Sequence, residues 1–154
     1  MNHRRVRPPK LAKEISEHLV DNGPFESKQK LLMFAAAVGV QLGRRTSFSS
    51  SDVAIRWDIF ERNNDEAFIY SLAIAETGGL DILSDDHEDS EDFLVYFEEY
   101  AHTGLQYLEE NVVNSPGDPL DELIGLFMSM EDSEEETPEE LEGLTQKDLD
   151  VLGL

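Results

Sequence analysis

The spacing of apolar residues along the chain predicts a mainly α-helical protein. Apolar residues recur at intervals of three and four, the period of one helix face, in several segments that turn-forming residues separate. We expect helices at about 10–21, 27–42, 65–77, 88–113 and from 118 onward. Together they predict a single compact domain of about five helices over residues 10–130, which suits the length of the chain.

The second predicted helix is rich in small residues and ends at two arginines. Residues 34–45 read FAAAVGVQLGRR and contain no acid. Ala35, Gly39 and Gly43 are spaced by four, so they share a face on which another helix can approach closely. That contact offsets the roughly 0.5–1 kcal/mol that a helical glycine costs relative to alanine. We expect a buried central helix, with Ser27 as its N-cap and Gly43 as its C-cap. The cations Arg44 and Arg45 then lie beside the negative end of its dipole.

Residues 53–59 are the one segment with the period of a strand. Val53, Ile55, Trp57 and Ile59 alternate with other residues, which is typical of extended structure. No second strand pattern offers a partner. An extended segment that leads into a turn at 58–63 fits the pattern equally well.

The two last predicted helices of the domain are amphipathic. The helix at 88–113 has an apolar stripe of Phe93, Leu94, Phe97, Tyr100, Ala101, Leu105, Leu108 and Val112. Its opposite face, which we expect to meet solvent, carries Glu91, Glu98, Glu99, His102, Glu109 and Glu110. In the helix that begins near 118, the residues expected to face inward are Leu120, Leu123, Ile124 and Phe127.

The two ends of the chain differ from the helical domain. Residues 1–9 are predicted to form a basic extended arm, because Pro8 and Pro9 restrict the backbone. Residues 131–136 are predicted to form an acidic linker, and a capping-box pattern then predicts a short helix within 137–154. This tail either packs on the protein's own core or docks on a partner. Its candidate docking residues are Leu141, Leu144, Leu149, Val151 and Leu152.

Charge divides the chain into a basic first part and an acidic remainder. The sequence has 34 Asp and Glu against 12 Lys and Arg, a net charge of −22. Residues 1–62 hold eleven of the twelve bases and seven acids, whereas residues 63–154 hold one base and 27 acids. The acidity favours a source with a high-salt cytoplasm, such as a halophilic archaeon. The alternative is an acidic protein that binds a basic partner or imitates DNA.

The basic first part is where an anionic partner is expected to bind. Its candidate contacts to nucleic acid or to a partner protein are Arg4, Arg5, Arg7, Lys10, Arg44, Arg45, Arg56 and Arg62. Such contacts to phosphate give salt-sensitive affinity that is independent of sequence. The alternative is that these cations bind the acidic part of this chain or of a partner.

The sequence contains no recognisable catalytic constellation, so we expect neither an enzyme nor a bound metal or cofactor. It has no cysteine and no glycine-rich phosphate loop. Glu99 and His102 have the spacing of a di-metal helix, but the second copy that such a site needs is missing. The acidic run at 85–89 lacks the pattern of a calcium loop and is expected to cap a helix. The longest apolar run, 31–40, is too short to span a membrane, and we expect a cytoplasmic protein.

Four segments together resemble a known family. They read RPPKLAKEI, FESKQKLLMFAAAVGVQLGRR, IRWDIFE and FEEYAHTGLQYLEE. They are similar to the small accessory family called DNA phosphorothioation-associated, or dnd-system-associated, protein 4. The resemblance covers about residues 7–128 and leaves out the tail. It contains no catalytic motif, so no active-site residue is carried over.

The resemblance implies a role rather than a reaction. The family accompanies systems that place sulfur in the DNA backbone and restrict unmodified invading DNA. It implies a non-enzymatic adaptor whose partners are other proteins of such a defence system, among them a large nucleoside triphosphatase. Two alternatives remain from the residues themselves: a DNA-binding regulator that uses the basic first part, and an acidic decoy that occupies a DNA-binding partner.

Overall fold

A computed structural model describes residues 4–83 and 92–135, the last six of them by their backbone only. These residues form six α-helices and one two-stranded sheet, so the prediction of a mainly α protein is confirmed. The helices are α1 Leu11–Leu19, α2 Lys28–Leu42, α3 Trp57–Arg62, α4 Glu66–Thr77, α5 Leu94–Leu108 and α6 Pro119–Glu135, and the strands are β1 Arg5–Val6 and β2 Ile55–Arg56. A 3₁₀ turn at Leu80–Leu83 follows α4, and a π-helical turn at Glu109–Val113 extends α5.

Helix α2 begins and ends where the sequence predicts. Ser27 caps its start, because the Ser27 hydroxyl accepts a hydrogen bond of 3.3 Å from the Lys30 N–H. Gly43 ends it in the left-handed conformation, with φ of 67°.

Helices α2 and α5 cross in direct backbone contact. A Cβ added at Gly39 would lie 2.8 Å from the carbonyl carbon of Tyr100 and closer still to its oxygen. A Cβ at Gly104 would lie 2.7 Å from the Cα of Ala35 and closer still to that residue's carbonyl oxygen. The predicted close approach at Ala35 and Gly39 is therefore confirmed. Gly43 is not part of the crossing, since a Cβ there meets nothing within 4 Å.

The N-terminal arm and the strand-like segment are each other's partner. β1 pairs antiparallel with β2, with Arg5 opposite Arg56 and Val6 opposite Ile55. Val6 is only 1% exposed, and Pro8 and Pro9 are also buried. The segment at 5–9 is thus extended as predicted, but it is packed against the rest of the protein.

The strand at β2 is shorter than the alternation at 53–59 predicts. After Arg56 the chain turns into α3, which buries Trp57 and Phe60 on one side. The Trp57 ring packs edge-on against Phe93 with centroids 5.5 Å apart, and Phe60 packs on Phe97 at 5.7 Å. Burial of these large rings favours the helix over continued extension.

Helix α5 provides the main wall of the core, and one predicted solvent-facing residue on it is buried. The predicted apolar stripe is confirmed except at Tyr100, which is only half-buried; Phe97, Ala101, Leu105 and Leu108 are all at 0% exposure. Glu98, which was expected in solvent, is only 4% exposed. The predicted start of this helix, near residue 88, and the acidic run at 85–89 lie outside the described residues.

Helix α6, taken by itself, exposes most of the face that was predicted to be inward. Leu123 and Leu126 are buried, but Leu120, Ile124 and Phe127 are 49%, 48% and 55% exposed, so their predicted burial is wrong. At 3.6 residues per turn, the apolar residues of α6 cover an arc of roughly 200°. One packing surface does not cover so wide an arc.

Helix α6 also continues to Glu135, through most of the segment predicted as an acidic linker. Glutamate is a good helix former, so an acidic run does not by itself end a helix. The tail residues proposed for docking lie outside the described residues. Within the described ranges, no helix is both long and apolar enough to cross a membrane.

Candidate functional site

Four of the eight predicted contact cations are engaged by carboxylates of this chain. The pairs are Arg4 with Asp92, Arg45 with Glu99 and Glu76, and both Arg56 and Arg62 with Asp58. The partners of Arg4 and Arg45 belong to the acidic part of the chain, as that alternative predicts, whereas Asp58, the partner of Arg56 and Arg62, lies within the basic part itself. The other four, Arg5, Arg7, Lys10 and Arg44, are exposed and form no ion pair with a described residue.

Arg45 ties the loop after α2 to two other helices. Its Nη1 lies 2.7 Å from the Glu99 Oε1 on α5, and its Nε lies 3.6 Å from the Glu76 Oε2 on α4. Its guanidinium also stacks 4.8 Å from the ring centroid of Tyr96. The Tyr100 hydroxyl donates a hydrogen bond to Glu76, which completes the cluster.

We expect Arg45→Ala to lower the free energy of unfolding by about 1–2 kcal/mol, since a partly exposed ion pair and a cation–π contact are lost together. Arg44→Ala is the matched control, because the neighbouring arginine is exposed and forms no such cluster; we expect a change within about 0.5 kcal/mol. Urea unfolding of both variants measures the difference. Equal effects of the two changes would show that the Arg45 cluster contributes nothing beyond charge.

Glu99 and His102 do not lie on a solvated face; both bind the loop that follows α2, at Thr46. Thr46 donates its backbone N–H to the Glu99 carbonyl oxygen at 3.2 Å, and its hydroxyl lies 2.7 Å from the Thr103 hydroxyl. His102 Nδ1 is 3.0 Å from the Thr46 carbonyl oxygen, an arrangement in which that nitrogen is the donor. In the two described ranges, no group of three or more acids and histidines is placed to hold a metal ion.

Among the described residues, Glu98 has the most strongly shifted pKa, and sequence reasoning missed it. Its Oε2 accepts the Arg7 N–H at 2.6 Å, so α5 holds the residue that follows β1. Burial raises the pKa of Glu98 to about 7; the Arg7 N–H and charge oppose this rise, and the charges of Asp92 and Glu99 add to it. A signal was present in the sequence, because Glu98 is four residues after Leu94 and three before Ala101, both of which are buried.

A small cavity adjoins Glu98 at the junction of the arm, the loop and α5. Its volume is about 90 Å³. The residues that line it are Arg7, Phe48, Ser49, Ser51, Val95, Glu98 and Glu99. The space is large enough to hold water beside the carboxyl group. Arg7 and Arg45 contact adjacent residues of α5: the backbone N–H of Arg7 bonds to Glu98, and the side chain of Arg45 pairs with Glu99.

Comparison with known proteins identifies the family. A family model described as DNA sulphur modification system-associated protein 4 matches residues 5–147. No curated protein and no solved structure matches the chain. The matched region runs from β1 beyond the end of α6, so it is wider at both ends than the resemblance seen in the sequence. Because it covers almost the whole chain, the protein belongs to the family of DNA sulphur modification system-associated protein 4.

Proposed function

We propose that the protein is a non-enzymatic adaptor of a DNA-phosphorothioation-dependent restriction or antiviral defence system, and that α6 is its docking element. Membership of a family associated with DNA sulphur modification supports the link to that system. The adaptor role is carried by one structural observation, the exposed apolar face of α6.

This face consists of Leu120, Ile124 and Met128, which are 49%, 48% and 62% exposed. Their spacing of four places them in one row along the helix. An amphipathic helix that presents apolar anchors at this spacing is suited to binding in a hydrophobic groove. Full burial of each such side chain is worth about 1.5–3 kcal/mol, so covering the exposed half of three provides substantial binding energy.

The charge of α6 indicates the kind of groove that would bind it. Residues 119–135 contain six acids and no Lys or Arg. Asp121 and Glu122 lie in the first turn, next to the apolar row. A groove with an apolar floor and a rim of Lys or Arg complements this helix. A second copy of the chain would instead bring like charges together, which disfavours self-association through this face.

The test is binding of the full chain to each purified protein of the same sulphur-modification system, including a large nucleoside triphosphatase. We expect one of them to bind, and Ile124→Ser with Met128→Ser to weaken that binding at least tenfold. Tenfold corresponds to about 1.4 kcal/mol, less than the two side chains gain on burial. Biolayer interferometry at fixed salt measures both affinities.

Val53→Ser with Leu80→Ser is the matched control, since these apolar residues are 76% and 70% exposed outside α6. We expect its affinity to stay within twofold of the unmodified chain. Absence of binding to every protein of the system would overturn the adaptor role. If the α6 variant binds the partner as tightly as the unmodified chain does, α6 is not the docking element. The same conclusion follows if sedimentation shows a homodimer of the unmodified chain that the α6 variant does not form, because the face then binds a second copy.

A further inference from the structure

We propose that the outer face of the β1–β2 ribbon, formed by Arg5, Arg7 and Arg56, is a binding site for the phosphate backbone of double-stranded DNA. The site is separate from α6 and does not depend on the adaptor role. Its ligand is recognised as a row of phosphodiester anions rather than as a base sequence.

The register of the ribbon places two arginines opposite each other. Arg5 pairs directly with Arg56, and Val6 pairs with Ile55. Because side chains alternate along a strand, the buried Val6 fixes the inner face, and Arg5 and Arg7 lie on the outer one. Directly opposed residues have their Cβ atoms about 4.5–5.5 Å apart, so the Arg5 and Arg56 side chains leave the ribbon side by side.

The two opposed arginines, Arg5 and Arg56, repel each other. Like charges directly opposite each other destabilise a strand pair, and an anion placed between them removes that repulsion. Asp58 lies 3.3 Å from Arg56 and is shared with Arg62 at 3.5 Å. Arg5 and Arg7 form no ion pair with a described residue. The outer face thus carries more positive charge than the described acids on it balance.

The backbone that carries these cations is held by hydrogen bonds. Trp57 donates its N–H to the Arg4 carbonyl oxygen at 3.1 Å, and Asp52 donates to Pro8 at 2.9 Å. The Glu98 carboxyl also accepts the Arg7 N–H at 2.6 Å. A guanidinium that extends from a fixed backbone loses less freedom when it binds, and its planar donors match phosphate oxygens in pairs.

DNA is the anion that best suits this face. The family is described as associated with a DNA sulphur modification system, which favours DNA over other polyanions as the ligand. The acidic remainder of the chain repels DNA, which confines contact to the ribbon. Three arginine–phosphate contacts predict a slope of about −2.7 in log affinity against log salt. Affinity should therefore fall about 40-fold between 50 and 200 mM salt.

The experiment is fluorescence anisotropy of the full chain with a labelled 20-base-pair DNA duplex at several salt concentrations. We expect the unmodified chain to bind with the slope given above. Arg5→Gln with Arg56→Gln should weaken binding at least tenfold at 50 mM salt and reduce the slope by about 2. Lys30→Gln, a half-exposed cation on α2, is the control and should leave both quantities unchanged.

Folding is followed in parallel by thermal unfolding. Arg5→Gln should leave the melting temperature unchanged or raise it, because it removes a repulsion. The proposal is overturned if the unmodified chain does not bind the duplex at 50 mM salt, or if the double variant binds it as the control does. If polyglutamate binds as tightly as the DNA duplex, the proposal is overturned and the ligand is an acidic protein surface. If an RNA duplex binds more tightly than the DNA duplex, the proposal is overturned and the ligand is RNA.

Discussion

Replacement of Gly104 by alanine is expected to lower the free energy of unfolding by about 2–4 kcal/mol. The added Cβ would lie 2.7 Å from the Ala35 Cα and closer still to its carbonyl oxygen. Both are backbone atoms, so no rotation of a side chain relieves the overlap, and α2 and α5 must move apart. Overpacking of this kind typically costs about 1–3 kcal/mol, and separation of the helices also loosens the core contacts beside the crossing.

Whether a glycine-to-alanine change stabilises or destabilises the protein distinguishes an exposed helix position from the tight crossing. In an exposed helix, alanine in place of glycine stabilises by about 0.5–1 kcal/mol. Gly125 in α6 is the matched control, because a Cβ there meets nothing within 4 Å. We expect Gly125→Ala to be neutral or stabilising and Gly104→Ala to be strongly destabilising.

Two probes separate the two regions during urea unfolding. Trp57 is the single tryptophan and is buried, so its fluorescence reports the part of the protein that contains α2 and α5. Far-ultraviolet circular dichroism reports helix content, including α6. A Gly104→Ala variant as stable as the unmodified chain by Trp57 fluorescence would contradict the tight crossing.

The helices and the tight crossing are the features that sequence reasoning predicts well. They depend on local patterns: the three-to-four spacing of apolar residues, Ser27 and Gly43 at the ends of α2, and small residues at a spacing of four. Each of these acts within one or two helical turns, so the chain carries the information locally.

The ribbon and the ion pairs depend on distant parts of the chain. β1 and β2 are two residues long and lie about 50 positions apart, and so short a strand has no detectable alternation. Likewise, nothing near Arg45 in the sequence indicates that Glu76 and Glu99 would meet it. The family resemblance, which the comparison confirms, identified the biological system but gave no residue roles.

The burial of Glu98 and of the apolar residues of α6 differs from the prediction in opposite directions. Glu98 was assigned to solvent because of its charge, although its spacing from Leu94 and Ala101 places it over the core. Leu120 and Ile124 were assigned to the core because they are apolar, although too wide an arc of α6 is apolar for all of it to be covered. In both cases the residue type was given more weight than its position on the helix.

Glu98→Gln is expected to stabilise the protein at neutral and alkaline pH, by about 3 kcal/mol at pH 8. Burial raises the pKa of Glu98 from 4.5 to about 7. Below pH 4.5 the carboxyl is protonated in both the folded and the unfolded chain, so it resembles a glutamine in charge. Between pH 4.5 and 7 the unfolded chain loses the proton and the folded chain retains it. The free energy of unfolding therefore falls by about 1.4 kcal/mol per pH unit over this range.

The glutamine variant does not lose stability in this way as the pH rises, because its side chain has no titrating proton. Its side-chain oxygen still accepts the Arg7 N–H, and its amide group faces the cavity that Ser49 and Ser51 line. The difference in free energy of unfolding between the Glu98→Gln variant and the unmodified chain should thus be small at pH 4.5, increase up to about pH 7, and then stay constant.

Urea unfolding followed by Trp57 fluorescence from pH 4.5 to 8, at constant ionic strength, measures this difference. Because the chain carries 34 acids, its overall stability varies with pH for many reasons, and only the comparison of variants isolates one group. Glu110→Gln serves as the control, since it removes the same charge from an exposed position beyond the end of α5. A Glu98→Gln effect that is equal at every pH would show that Glu98 is ionised throughout the range and that its bond to the Arg7 N–H outweighs its burial. If the stabilisation by Glu98→Gln increases between pH 4.5 and 7 while Glu110→Gln shows no such increase, the carboxyl that accepts the Arg7 N–H is protonated at mildly acidic pH.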